Sequence, residues 1–143
     1  MYGRNQTYKM IKWSYSSISL FQQCPKKYYH LRVAKDVQEK ESEALLYGSR
    51  VHTVAEEYVR DGTPIPEAFS YIQPAIDAVL ANNKGEVHCE LRVGLTENLE
   101  PCEFFGKDVW YRGVIDLLIL DEKKNKAVIV DYKTGKNPKY ADT

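Results

Sequence analysis

The stretch YRGVIDLLILDEKKNKAVIVDYKTGK, residues 111–136, contains two apolar runs separated by a charged segment. The runs are rich in Val, Ile and Leu, which favour strands, and DEKKNK (121–126) is typical of a hairpin loop. Each run carries one acid, Asp116 in the first and Asp131 at the end of the second. We therefore predict a β-hairpin whose pairing brings Asp116 towards Asp131.

Two carboxylates brought together in apolar surroundings repel each other and resist ionisation. A divalent cation removes both penalties, and hard oxygen ligands favour Mg²⁺ or Mn²⁺. Side chains alternate along a strand, so Lys133 points the same way as Asp131. An ammonium there could orient an attacking water and stabilise the charge of a phosphoryl-transfer transition state. The alternative is that both acids are strand-end residues that hydrogen-bond to the backbone or pair with Lys133.

The rest of the chain reads as helices followed by strands. Helical patterns cover 14–33, broken at Pro25, then 43–60 and 66–81, the last with an unfavourable Pro74 inside it. Strand patterns cover 87–95, 103–110, 111–120 and 127–132. This order predicts an α/β (α+β) fold. We expect one domain over residues 1–143, with a helical part at about 14–82 and a sheet carrying the site at about 86–136.

The composition is that of a globular protein with balanced charge. Lys and Arg total 20 and so do Asp and Glu, so any nucleic-acid site must be a local patch. The cysteines, Cys24, Cys89 and Cys102, are odd in number and form no CxxC pair, which favours a reducing cytosol over a disulfide framework. The sequence has neither an apolar run long enough to span a membrane nor a signal-peptide core. We expect a cytoplasmic protein.

Four motifs, in chain order, resemble the RecB-like branch of the PD-(D/E)XK nucleases. They are a serine-rich helix start with Cys-Pro and aromatic residues (SYSSISLFQQCPKKYY), the helix motif Gly48-Ser-Arg-Val-His52, the acid Glu90, and the pair Gly113-Val-Ile-Asp116 with Asp131-Tyr-Lys133-Thr-Gly-Lys136. The resemblance covers about residues 13–136. It implies a restriction-endonuclease-like core, with a mixed central β-sheet flanked by helices.

The resemblance also implies an activity. It indicates a Mg²⁺- or Mn²⁺-dependent deoxyribonuclease, an exonuclease or an enzyme directed to single strands or ends, acting in DNA recombination, repair or processing. The partner would be DNA, as single strands or duplex ends, and not a membrane. Tyrosines would be available for base stacking.

Roles for individual residues follow from the same resemblance. His52, Asp116, Asp131 and the backbone carbonyl of Tyr132 would hold the metal, and Gly48 would let the helix of His52 pack closely. Asp116, Asp131, Lys133 and Glu90 would form the catalytic set; Glu90 would either hold a second metal through water or orient its neighbours. A basic rim of Arg50, Lys133 and Lys136 would contact DNA.

The sequence departs from this branch in two ways. The branch continues into a helix bearing Q-x-x-x-Y and a further strand, which this chain does not reach; we expect truncation, the other possibility being that the motif is absent. Some relatives hold an iron–sulfur cluster on one early and three late cysteines. Cys24 stands at the early position without a late trio, so we expect no cluster, and we expect Cys24 to be a small apolar core residue.

Other functions are less well supported by the residues. No G-x-x-x-x-G-K-[ST] loop for nucleotide phosphates is present. His52 and Glu56 lie one helical turn apart, but without H-E-x-x-H zinc is disfavoured and we expect Glu56 to be a solvated helix residue. The remaining alternative to a nuclease is a non-catalytic, nuclease-like DNA-binding or assembly module.

Overall fold

The computed structural model describes residues 11–134, which form an α/β fold around a four-stranded antiparallel sheet. The strands are β1 (Glu86–Leu95), β2 (Pro101–Cys102), β3 (Tyr111–Asp121) and β4 (Lys126–Val130), in the order β2-β1-β3-β4. The predicted fold class is confirmed. The described residues divide into two compact units, one made of residues 11–39 with 92–113, the other of 40–91 with 114–134.

The first unit is built from short helices and an aromatic cluster. Helix α1 (Tyr15–Gln23) begins at Ser14, which forms a reciprocal capping box with Ser17. Helix α2 (Pro25–Tyr28) starts with proline and continues into a π-helical segment, Tyr29–Ala34. The predicted helix over 14–33 is therefore present, and it breaks at the expected proline. Its anchor is Tyr28, which is buried and stacked on Trp13 at 5.5 Å between ring centroids.

The predicted strand over 103–110 is wrong. After the two-residue β2, which pairs with Gly94 and Leu95, residues 103–110 form two turns. The amide of Gly106 donates to the carbonyl of Glu103 over 2.8 Å, which closes the first turn. The aromatic content of the segment suggested a strand, but its rings are held by arginines instead of by a neighbouring strand.

The second unit contains the longest helix and the hairpin. Helix α3 (Glu43–Asp61) is capped by Ser42 and ends at Gly62, whose left-handed φ of 72° suits glycine. It is followed by a 3₁₀ segment, Glu67–Ile72, and by α4 (Gln73–Asn82). The predicted helix over 66–81 is thus divided in two. Pro74 lies in the first turn of α4, where it removes no helical hydrogen bond, so the expected cost does not arise.

The hairpin forms as predicted, and its first strand contributes to the core. Strands β3 and β4 pair antiparallel, with Leu117 opposite Val130 and Leu120 opposite Ala127. A 3₁₀ turn, Glu122–Lys124, joins them. The core of this unit is apolar and comes from the helices and β3 together: Val51, Val54, Ala55, Ile76, Leu117, Leu118 and Ile119. Among residues 11–134, no helix has the length and apolarity needed to cross a membrane.

Candidate metal centre

The centre is built around Asp116, an acid within the buried part of β3. Its side chain is only 9 % exposed, and its Oδ2 accepts a hydrogen bond of 2.7 Å from the amide of Tyr132. Asp131 lies one step beyond the Leu117–Val130 pair, so the register of the hairpin brings it opposite Asp116, as predicted. Asp131 differs in that its side chain is 55 % exposed. One carboxylate is therefore desolvated and the other remains in water.

Helix α3 places His52 beside Asp116 and Tyr132 of this hairpin region. Its Nε2 lies 2.9 Å from the carbonyl oxygen of Tyr132, and its Nδ1 lies 3.3 Å from Asp116 Oδ1 and 3.8 Å from Glu90 Oε1. Both ring nitrogens therefore face oxygen acceptors. A neutral imidazole has one N–H, so in that form one lone pair points at oxygen atoms. A cation among these groups would remove that repulsion.

Glu90 reaches the same point because the backbone of β1 is irregular there. Its φ is 50°, a left-handed value that non-glycine residues in strands rarely adopt. Around it the normal alternation of exposure is lost, since residues 88–91 are all half-buried. Such local strain costs on the order of 1–3 kcal/mol and is concentrated at functional sites. The strain here aims a carboxylate at His52 and Asp116.

The three side chains form a compact ligand set. Ligand atoms of His52, Glu90 and Asp116 all lie within 4.8 Å of one another. Opposite ligands of a Mg²⁺ ion lie about 4.2 Å apart, from the usual distance of 2.0–2.1 Å to each oxygen. A small closing movement would therefore let one ion contact all three. Two carboxylates and one imidazole are also a donor set that first-row divalent ions accept, so the residues fit a metal.

The electrostatics of the cluster also favour a bound cation. Burial raises the pKa of the Asp116 carboxyl, and the neighbouring Asp131 adds to the rise, while the hydrogen bond from Tyr132 and the charge of His52 oppose it. Burial, Asp116 and Glu56 raise the pKa of the Glu90 carboxyl. Burial, helped by nearby Cys89, Asp116 and Glu90, raises the pKa of Tyr132 to about 12. Excess negative charge has thus been gathered where it is poorly solvated, which a cation would compensate.

An open cleft of about 490 Å³ gives access to the ligand set, and it runs along α3. Glu56 lines this cleft with His52 and Glu90, and Arg60 pairs with its carboxylate. Glu56, which we expected to be a solvated helix residue, has a side chain that is 26 % exposed, and its charge helps to raise the pKa of the Glu90 carboxyl. Its position one turn after His52 was the available sequence signal. A Cβ on Gly48 would lie 3.1 Å from Thr134 Oγ1, which accounts for a small residue at this contact.

The remaining predicted residues, Lys133, Arg50 and Lys136, are not part of this ligand set. Lys133 Nζ is 2.7 Å from Asp131 Oδ2, and both side chains are more than half exposed. Both line a second groove, of about 420 Å³, and not the cleft of His52. Arg50 is exposed on α3, but two residues before His52 means a rotation of about 200° around the helix, so the two face different sides. Lys136 lies outside the described residues.

Cys24 does not take the predicted place in the core. It is exposed, and its Sγ accepts from the amide of Lys27 at 3.4 Å, which caps the start of α2. The first amide groups of a helix lack partners within the helix, and Cys24 supplies one for α2. This position between two helices leaves the cysteine exposed.

Comparison with known proteins agrees with this geometry. The family model described as the PD-(D/E)XK nuclease superfamily matches residues 12–84 and 68–143. No curated protein and no solved structure gives a significant match. The two family matches together extend over nearly the whole chain and include all three residues of the ligand set. The chain belongs to the PD-(D/E)XK nuclease superfamily.

Proposed function

We propose that this protein is a metal-dependent deoxyribonuclease that hydrolyses phosphodiester bonds in DNA. The observation that carries the proposal is the convergence of His52, Glu90 and Asp116 within 4.8 Å, with the carbonyl oxygen of Tyr132 2.9 Å from the histidine. A structural role alone gives no reason to gather two acids and strain the backbone of one of them. Membership of a nuclease superfamily supplies the reaction class.

We propose Mg²⁺ or Mn²⁺ as the metal, held by His52, Asp116, Asp131 and the carbonyl of Tyr132, with Glu90 as a further acid. The carboxylate and carbonyl oxygens favour Mg²⁺, and the imidazole nitrogen adds to the case for Mn²⁺. When bound, the ion supplies Lewis-acid stabilisation of charge on the phosphoryl oxygens. Asp131 is included because the hairpin register sets it opposite Asp116, although it lies at the water-exposed side.

Lys133 is proposed as the residue that places the attacking water and stabilises negative charge in the transition state. Its ammonium forms an ion pair with Asp131, and Asp131 is a neighbour of Asp116. The lysine is therefore linked to the buried acid through Asp131. A preorganised cation of this kind acts on charge that develops during the reaction and contributes little to ground-state binding. Asp131 therefore has two tasks in this proposal, one towards the metal and one towards Lys133.

The finer assignment is to the RecB-like branch, with one nuclease domain over residues 1–143. Its support is the order of the motifs, with Gly48 and His52 on a helix before β3, which carries Asp116, and β4, which Asp131 directly follows. We propose that the enzyme acts on single strands or ends, as an exonuclease or end-directed nuclease, in cytoplasmic DNA recombination, repair or processing. Arg50, Lys133 and Lys136 are proposed to contact phosphates, so binding should weaken as salt rises.

The test is cleavage of labelled single- and double-stranded DNA with Mn²⁺ or Mg²⁺, compared between wild type and Asp116→Ala. Glu97→Gln, which removes an exposed acid from a turn, is the matched control. Metal-dependent cleavage by wild type and the control, lost in Asp116→Ala, supports the proposal. If the wild type binds metal and DNA but cleaves neither substrate, the protein is a non-catalytic module instead.

A further inference from the structure

The first turn after β2 exposes an aromatic side chain that folding does not explain. Phe105 is 71 % exposed, and its ring meets that of Phe104 edge-on at 4.8 Å between centroids. Leaving a phenylalanine in water forgoes most of the free energy that its burial would contribute. The neighbouring Phe104 is half-buried. Most of the side chain of Phe105 is therefore accessible to a ligand.

The backbone holds this turn in a fixed shape. The amide of Gly106 donates to the carbonyl of Glu103 over 2.8 Å, and a Cβ on Gly106 would approach that oxygen to 2.9 Å. Lys12 Nζ donates to the carbonyl of Gly106 over 3.0 Å. The turn is thus tied to itself and to the N-terminal segment. A ring that is already positioned loses little conformational entropy when something stacks on it.

Two arginines lie over these rings, Arg92 over both and Arg112 over Phe104. The guanidinium of Arg92 is 5.7 Å from the centroid of Phe104 and 5.7 Å from that of Phe105, and Arg112 is 5.2 Å from Phe104. Within residues 11–134, neither arginine forms an ion pair. Their N–H groups thus remain suited to an anion such as phosphate.

We propose that these four side chains, Phe104, Phe105, Arg92 and Arg112, form a stacking platform for an unpaired base of single-stranded nucleic acid. The base stacks on Phe105, and the arginines contact the phosphates beside it. A duplex offers no free base face away from its ends, so the platform selects unpaired strands. The inference rests on the proposed function only in its choice of nucleic acid as the ligand, and it names the class of substrate strand.

The experiment measures binding of a short fluorescein-labelled oligothymidylate by anisotropy, in EDTA so that no cleavage occurs. The variants are Phe105→Ala, which removes the ring, and Phe105→Trp, which keeps an aromatic face. Tyr15→Ala is the matched control, since Tyr15 is an aromatic residue 67 % exposed in the same unit, and no arginine lies over its ring among the described residues. The same oligonucleotide annealed to its complement serves as the duplex ligand.

Phe105→Ala should weaken single-strand binding by about 5- to 150-fold, and duplex binding much less. Phe105→Trp and Tyr15→Ala should bind as wild type does. Equal single-strand affinity of Phe105→Ala and wild type overturns the platform and leaves the nuclease proposal intact. If the wild-type protein cleaves duplex DNA but fails to bind the oligothymidylate, the platform is likewise overturned and the nuclease proposal stands. Loss of binding in Phe105→Ala without any metal-dependent cleavage would support the platform while contradicting the nuclease proposal.

Discussion

Replacing Asp116 by asparagine tests the metal centre with almost no change of shape. In the wild type, Asp116 Oδ2 accepts from the amide of Tyr132, and Oδ1 faces His52 Nδ1 at 3.3 Å. An asparagine oxygen can keep the first bond, and its NH₂ can donate to Nδ1 of a neutral imidazole. His52 Nε2–H then donates to the carbonyl of Tyr132. Asp116→Asn would therefore satisfy every group of this network without a buried charge.

Two opposite effects on stability follow from this change. Without metal, the variant should be more stable than wild type, because a poorly solvated carboxylate near Glu90 and Asp131 is removed. We expect a gain of about 1 kcal/mol in the free energy of unfolding from the loss of this unfavourable charge. With metal at 100 times its dissociation constant, wild type should gain about 2.7 kcal/mol and the variant almost nothing. For a chain of this length, about 1 kcal/mol corresponds to a Tm shift of roughly 3–4 °C.

Thermal unfolding in EDTA and in excess Mn²⁺ measures both effects. Wild type should rise by about 8–10 °C on adding Mn²⁺, whereas Asp116→Asn should start about 3 °C higher in EDTA and stay there. Glu97→Gln, the exposed-acid control, should follow wild type in both conditions. An undiminished Mn²⁺ shift in Asp116→Asn would refute the ligand assignment. A variant less stable than wild type in EDTA would show that a charged His52–Asp116 pair stabilises the protein instead.

Three further predictions concern residues around this site and in the fold. Lys133→Ala should lower the rate of cleavage on the order of a hundredfold while keeping the Mn²⁺-induced Tm shift, because the lysine acts in the transition state and is no ligand. Single-turnover assays measure the rate, with Lys123→Ala as an exposed-lysine control. Glu90→Gly should raise Tm in EDTA by roughly 3–6 °C and reduce cleavage, since glycine adopts a φ of 50° without strain. Gly85→Ala should destabilise the protein by more than about 2 kcal/mol, because a Cβ there would lie 2.2 Å from the carbonyl oxygen of Leu120; urea unfolding gives the value.

Each of these has an outcome that would contradict it. Near-wild-type cleavage by Lys133→Ala would make the lysine a strand-end cation and nothing more. A lower Tm for Glu90→Gly than for Glu90→Ala would show that the left-handed backbone carries no strain worth relieving. Unchanged unfolding of Gly85→Ala would mean that the start of β1 moves away from β3 at little cost.

The sequence by itself determined the elements whose signals are local. The hairpin of β3 and β4 could be predicted because two apolar runs flank a charged turn, and the pairing of Asp116 with Asp131 then follows from the register. Helix α3 could be predicted from its periodicity and from the cap residues at its two ends, Ser42 and Gly62. In these elements local preference and tertiary packing agree, which is why pattern reading succeeds there.

The tertiary structure alone decided how the site closes. The 2.9 Å contact of His52 with the carbonyl of Tyr132 joins residues 80 positions apart, and no periodicity encodes it. A glutamate within a strand pattern gives no sign of a left-handed backbone, so the irregularity that aims Glu90 at the histidine could not be predicted from the sequence. The two turns that replaced the predicted strand over 103–110 have the same origin, because arginines on neighbouring strands hold the aromatic rings that suggested a strand. Sequence patterns report what each segment prefers alone, whereas burial and charge act between segments that meet only in the folded chain.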